Sequence, residues 1–228
     1  MQNSLRENLA EIRAQIAHAA QKANRNADEI KLVAVSKTHP VEILREAIDA
    51  GAVILGENKI QEAEDKITEI GRESAEWHLI GHLQSNKARK AVKLFDVIHT
   101  LDSLELAERL ERICIEENRA RLSVLVQIDL ANETTKNGIK PEDLPELSDF
   151  LKTCGRVKFD GLMTIPPFFE DVEQVRPFFR NLRELRDKIL PNGELSMGMS
   201  YDFAVAIEEG ATIIRVGTAI FGERERSL

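Results

Sequence analysis

Eight times along this chain an apolar run of strand length is followed by a stretch of helical character, and no linker interrupts the order. The first run, Lys31-Leu-Val-Ala-Val-Ser36, is continuous rather than alternating. Strands of a parallel sheet covered on both faces look like this. Strands are expected at 31–36, 52–55, 77–80, 96–100, 122–130, 159–164, 194–197 and 212–216. Helices are expected at 40–50, 57–70, 85–94, 103–117, 141–152, 171–190 and 201–209, with a short one at 217–221. Pro40 is well suited to open the first of these. Ahead of the first strand, Leu5, Leu9, Ile12 and Ile16 recur at helical spacing and mark an extra N-terminal helix ending near residues 24–26.

Strictly alternating β and α segments predict a parallel sheet with helices outside it. Eight units in 228 residues favour closure into a single (β/α)8 TIM-like barrel occupying residues 1–228. An open doubly wound sheet is the competing architecture. No GxGxxG opens a strand–turn–helix unit, so a dinucleotide fold has little support.

Charge and composition exclude several functions. A net charge of −8 argues against a nucleic-acid binder, which needs clustered Lys and Arg on phosphates. Lys87, Arg89, Lys90 and Lys93 form a local basic run, which reads as a solvated helix face. Cys114 and Cys154 lie in unrelated segments without metal-ligand spacing, which suits a reducing compartment. Residues 1–22 mix charged and apolar positions, unlike a signal peptide or membrane span, so a cytoplasmic location is expected. His78, His82 and His99 lack the carboxylate spacing of a metal site, and no metal is expected. Phe168-Phe169 and Phe178-Phe179 read as packing residues.

Barrels carry their chemistry at the C-terminal ends of the strands. The polar residues there are Ser36-Lys37-Thr38, Gly56-Glu57-Asn58, His99-Thr100, Asp129, Met163-Thr164, Met199-Ser200 and Arg215-Val-Gly-Thr218. A lysine at the mouth of a buried strand is partly desolvated, which lowers its pKa and favours a nucleophilic amine. Lys37 could therefore form a Schiff base with an aldehyde, or simply close a strand at the surface. Gly217 allows close backbone approach to a ligand, and Thr218 offers a hydroxyl and an N–H at a helix start. Ser200 could donate to the same phosphate or act as an ordinary helix cap. Asn58 could point at a ligand or cap a helix.

These residues fall within seven ordered blocks that span nearly the whole chain. They are Val33-Ala-Val-Ser-Lys-Thr38, Gly56-Glu-Asn58 with Gln61-Glu62, and Trp77-His-Leu-Ile-Gly-His-Leu-Gln-Ser-Asn-Lys87. The others are Gly161-Leu-Met163, Leu195-Ser-Met-Gly-Met-Ser200, Ala204-Val-Ala-Ile-Glu-Glu-Gly210 and Arg215-Val-Gly-Thr-Ala-Ile-Phe-Gly222. Together they resemble the pyridoxal phosphate homeostasis proteins, a group similar to the N-terminal barrel of alanine racemase. The resemblance implies pyridoxal 5'-phosphate as cofactor and Lys37 as its Schiff-base lysine. It assigns the phosphate to Ser200, Gly217 and Thr218, the pyridine nitrogen to Arg215 and a ring contact to Asn58. The chain departs from the family pattern at Lys59, where an aromatic residue is frequent, and at Tyr201, where an acidic one is.

A guanidinium can only donate, so Arg215 would disfavour protonation of the pyridine nitrogen and weaken the ring as an electron sink. Racemisation needs acid–base groups on both faces of the substrate carbon. Alanine racemases supply one from a C-terminal β domain, which is expected to be absent here, and Tyr201 is poorly placed to replace it. The resemblance therefore points to a monomeric, non-catalytic carrier that delivers the cofactor to apoenzymes. A small amino-acid racemase is the main alternative, and a phosphosugar-handling barrel a more distant one.

Overall fold

Eight parallel strands close on one another in chain order, and the last pairs with the first. They are β1 (Lys31–Val35), β2 (Ile54–Glu57), β3 (Glu76–Leu79), β4 (Val97–Leu101), β5 (Leu122–Gln127), β6 (Val157–Met163), β7 (Glu194–Ser196) and β8 (Ile213–Val216). Around them run α2 (Val41–Asp49), α3 (Ile60–Ile70), α4 (Ala88–Leu94), α5 (Leu104–Glu116), α6 (Leu144–Thr153), α7 (Arg176–Ile189), α8 (Phe203–Glu208) and α9 (Thr218–Phe221). One further helix, α1 (Leu5–Lys22), precedes β1. This computed structural model describes residues 4–131 and 137–222, so the single-domain reading of residues 1–228 extends beyond the described residues.

The (β/α)8 barrel is the architecture expected from the sequence, and the open sheet is excluded by the β1–β8 pairing. Several boundaries moved for identifiable reasons. β2 lies two residues later than its apolar run because Glu57, although charged, is buried with a cationic partner, so polarity does not end the strand there. Pro40 is the N-cap of α2 rather than its first residue. Residues 85–87, 141–143 and 172–175 form 3-10 turns that tighten the entries to α4, α6 and α7. β5 stops at Gln127, and Ile128 continues only as an isolated bridge to Ile139.

Alternation along the strands separates two interiors. Trp77 and Leu79 of β3, Ile98 of β4, and Ile214 and Val216 of β8 pack outward against the helices. Each such side chain contributes roughly 1.5–3 kcal/mol when fully buried, so this annulus is the main stabilising core. Inside the barrel, Val33, Ile54, Val97, Leu125, Met163 and Ile213 form a separate small cluster. His78, His99, Ser196 and Arg215 are buried with them.

α1 completes the outer wall. α8 and α9 have only six and four residues, too few to cover the barrel where the ring closes. α1 lays Leu9, Ile12 and Ile16 into this gap. Asn8 Nδ2 donates to Ile220 O at 2.9 Å, and Arg25 Nη1 donates to Ile207 O and Ala211 O at 3.0 and 2.8 Å. Ser4 and Glu7 form a reciprocal capping box at the start of α1.

Among the described residues, no helix is long and apolar enough to cross a membrane. In the basic run, Arg89 and Lys93 pair with Glu117 of the α5 end and Lys90 with Glu64 of α3, as a solvated helix face would. Phe179 is buried in the core, Phe169 packs on Phe178, and Phe168 lies exposed against Tyr201.

Candidate functional site

At the C-terminal ends of the strands lies a cavity of about 310 Å³. Lys37, Asn58, Ser200, Arg215, Gly217 and Thr218 all line it, brought together from the loops after β1, β2, β7 and β8. Val35, Ile80 and Ile165 supply its apolar walls. The volume suits a small cofactor, and a mostly apolar wall with a few convergent polar groups is the usual composition of such sites.

The backbone carrying Lys37 is fixed on both sides. Ser36 N–H donates to Gly56 O at 3.0 Å, and Ser36 Oγ donates to Glu57 Oε1 at 2.6 Å. Lys66 Nζ donates to Ser36 O, Glu57 Oε1 and Glu62 Oε1 at 2.9, 2.8 and 2.6 Å. Thr38 N–H donates to Glu62 Oε1 in turn. Thr38 has φ +68°, a conformation that a β-branched residue rarely adopts and that costs about 1–3 kcal/mol. Five side-chain links from β2 and α3 thus hold a strained turn around Lys37. Burial pushes the Glu57 carboxyl above its ordinary value, with the Lys66 ammonium opposing that rise. Burial acts the same way on Glu62, but Lys66 and the Thr38 N–H outweigh it and hold that carboxyl low.

Across the cavity, Met199 N–H donates to Asp202 Oδ1 at 2.6 Å, and Asp202 N–H returns a bond to Met199 O at 3.1 Å. This doubly tied turn presents Ser200. Gly217 leads into α9, and a Cβ there would press to 3.3 Å from Val35 Cβ, so glycine lets the β8 and β1 exits lie close without displacing Val35. The first N–H groups of a helical turn have no intrahelical acceptor, which leaves donors at Thr218. Asn58 is placed by a similar contact: a Cβ on Gly81 would come within 2.3 Å of Asn58 O. The Asn58 Oδ1 is buried and has no hydrogen-bond partner among the described residues.

Arg215 is 4% exposed. Its Nη1 donates to Ser196 Oγ at 2.6 Å and its Nη2 to Thr164 O at 3.0 Å. Burial pulls its pKa down to about 10, so it remains a cation at neutral pH.

Other strand-end residues are used structurally. Thr100 Oγ1 donates to Gly81 O at 2.7 Å, and Thr164 Oγ1 to Ile128 O at 3.0 Å. Asp129 Oδ1 accepts from Ala131 N–H at 3.0 Å. His99, read as ending a strand, lies inside the barrel instead, fully buried within β4. Tyr201 lines the cavity, and its hydroxyl donates to Glu170 O at 2.6 Å. His39 also lines the cavity and stacks on Phe221 with centroids 4.7 Å apart, a role its sequence context did not reveal. Lys66 was missed as well, although the Glu62–Lys66 spacing of four on one helix was a usable signal. Among the described residues, no cluster of His, Cys, Asp and Glu could hold a metal ion. Burial pushes the Cys114 and Cys154 thiols up to about 11, which keeps them protonated at neutral pH.

An eight-stranded barrel with one lysine and a ring of hydroxyl and amide donors at its C-terminal mouth is of the alanine racemase N-terminal-domain class, and the family of that description matches residues 8–225. Within that class the chain belongs to the pyridoxal phosphate homeostasis protein family. It is 43% identical to the member from Aquifex aeolicus over 96% of this chain and 98% of that one. It is 41% identical to the Escherichia coli K12 member over 99% of both. The PipY structure of Synechococcus elongatus PCC7942, solved with PLP bound, is 41% identical, with a TM-score of 0.85 over 96% of this chain and 100% of that one. An alanine racemase of Clostridium difficile shares the fold at 18% identity and a TM-score of 0.71, and this chain covers 57% of its length.

Proposed function

We propose that this barrel holds pyridoxal 5'-phosphate in the C-terminal cavity, with Lys37 as its covalent anchor, and serves to store and deliver the cofactor rather than to turn over amino acids. The observation that carries this reading is the convergence of Lys37, Asn58, Ser200, Arg215, Gly217 and Thr218 on one 310 Å³ cavity. The residues present fit the group. A phosphate monoester needs several donors, and Ser200, Thr218 and the N–H groups around Gly217 supply them. A flat ring needs apolar walls, and Val35, Ile80 and Ile165 provide them. Asn58 offers a buried amide oxygen that no group among the described residues satisfies.

When bound, the cofactor supplies an aldehyde that a lysine amine can attack. The protein's contribution is positional. The Ser36–Glu57–Lys66–Glu62 links hold the Lys37 turn at a fixed place on the rim. Arg215 keeps its proton and offers only donors, so it disfavours a proton on a ring nitrogen facing it. That weakens carbanion chemistry and suits reversible holding. Tyr201, the only tyrosine of the chain, has its hydroxyl turned to the Glu170 carbonyl, which does not favour a second catalytic base. A monomer would leave the cavity mouth open for transfer to apoenzymes.

The test is an absorption spectrum of the purified protein loaded with pyridoxal phosphate, before and after borohydride, followed by peptide mass mapping. The adduct is expected on Lys37. An adduct confined to another lysine overturns the assignment. Incubation with single amino-acid enantiomers in deuterated solvent tests the carrier reading; inversion with α-deuterium uptake that vanishes in Lys37→Ala would replace it with a racemase.

A further inference from the structure

A continuous line of hydrogen bonds crosses the barrel interior from one mouth to the other. At the N-terminal end, Glu76 Oε1 lies 2.9 Å from His78 Nε2. His78 Nδ1 lies 2.9 Å from His99 Nε2, and His99 Nδ1 lies 2.9 Å from Ser196 Oγ. Ser196 Oγ accepts from Arg215 Nη1, and Arg215 lines the cavity at the C-terminal end. Every group between the two ends is buried: His78 is 1% exposed and His99 and Ser196 are 0%.

The two termini fix the direction of every bond between them. An ionised carboxylate can only accept, so His78 Nε2 must carry the proton. In a neutral imidazole that leaves Nδ1 as an acceptor, so His99 Nε2 must donate to it. His99 Nδ1 is then an acceptor in turn, and the Ser196 hydroxyl donates to it. Ser196 still accepts from Arg215, which can only donate. The opposite orientation would set the bare nitrogen of His78 against the carboxylate. Burial holds His99 well below its ordinary value, so it is neutral, and the bond from His78 holds Glu76 low and ionised.

We propose that Glu76, His78, His99 and Ser196 form a one-way relay that makes Glu76 a second, remote counter-charge of Arg215 beside Asp202 and fixes the plane in which Arg215 meets the cavity. A buried guanidinium is costly to leave uncompensated; among the described residues no carboxylate lies within ion-pairing distance of Arg215, and the Asp202 carboxylate favours its charge only from beyond that range. The relay supplies compensation through polarised neutral groups, which strengthen one another when aligned head to tail. His99 is thus a positioning residue, acting on the cavity through Ser196 and Arg215.

The experiment uses the full chain labelled with 15N-histidine. Both buried rings are expected as neutral Nε2–H tautomers; His99 found as the Nδ1–H form or as imidazolium overturns the relay. Glu76 is half exposed, so Glu76→Gln keeps an acceptor oxygen and removes the charge without threatening the fold. The His99 Nε2–H proton is expected to move upfield in that variant, and an unmoved resonance rejects Glu76 as the terminus. The cofactor arm rests on the function proposed above. His99→Gln retains one acceptor and one donor, and is expected to stay within about threefold of the parent affinity for pyridoxal phosphate, while His99→Phe loses about tenfold. Equal affinity in both variants refutes the positioning role. If the parent does not bind pyridoxal phosphate, the proposed function fails, while the tautomers still decide the relay.

Discussion

The two mouths of the barrel are lined by different kinds of polar group. The N-terminal mouth has the larger cavity, about 530 Å³ against 310 Å³. Its charges are matched with each other, Lys31 with Glu194, Arg121 with Asp160 and Arg119 with Asp96, and Glu76 is hydrogen-bonded to His78. The C-terminal mouth is smaller, yet it presents the Ser200 and Thr218 hydroxyls, helix-start amides and the Asn58 amide oxygen, the last buried without a partner among the described residues. Size measures room, whereas a binding site needs groups that folding leaves unsatisfied. The same contrast extends below the surface. Surface ion pairs brace the N-terminal end, while a buried network of Ser36, Glu57, Lys66 and Glu62 holds the loop at the other.

Substitutions at the two mouths should therefore differ in kind, and four of them put the contrast to work. The largest effect is expected at Lys66, whose ammonium is the only cation bonded to the buried Glu57 among the described residues. Lys66→Met strands that carboxylate and should cost about 3–5 kcal/mol of stability in urea unfolding. A loss below about 1 kcal/mol would mean the network is dispensable. Lys37→Ala should leave the fold intact and weaken pyridoxal phosphate retention by about 100-fold, or about 2.8 kcal/mol, in dialysis. Thr218→Ala removes one donor and should cost about tenfold in the same assay.

The smallest effect belongs to the N-terminal mouth. Burial works against ionisation of Asp96, but Arg72, the Trp77 N–H and Arg119 outweigh it and hold its carboxyl below the ordinary 3.8. A depressed carboxylate contributes stability that is complete above its unfolded value and disappears as pH falls through the folded one. The stability difference between the parent and Asp96→Asn, measured by urea unfolding, should thus be modest, about 1 kcal/mol or less at pH 7, and should close as pH falls below 3.8. Cofactor retention should not change. If Asp96→Asn disturbed retention as strongly as Thr218→Ala, the two mouths would not be functionally distinct.

Much of this was legible in the sequence because strand ends are marked by polarity. The exits of β1, β7 and β8 show themselves as an apolar run stopping at Lys37, Ser200 or Thr218, and barrel geometry then brings those stops to one rim. The interior relay was not legible. A strand buried on both faces carries no alternation to tell which side a residue faces, so His78 and His99 read as isolated histidines. Their contact depends on the β3–β4 register, in which His78 lies beside Val97. Glu57 hid for a related reason: charge in a sequence signals the end of a strand, and its neutralising partner lies nine residues away on α3.

The placement of α1 has a consequence for how the chain is made. α1, made before any strand of the barrel, packs against α8 and α9, and β1 waits for β8. Leu9, Ile12 and Ile16 therefore have no final resting place until α8 and α9 have been synthesised. Nascent chains should hold an exposed greasy stripe until then, which makes this segment the natural point of engagement for a chaperone and the point where products cut short of α8 aggregate.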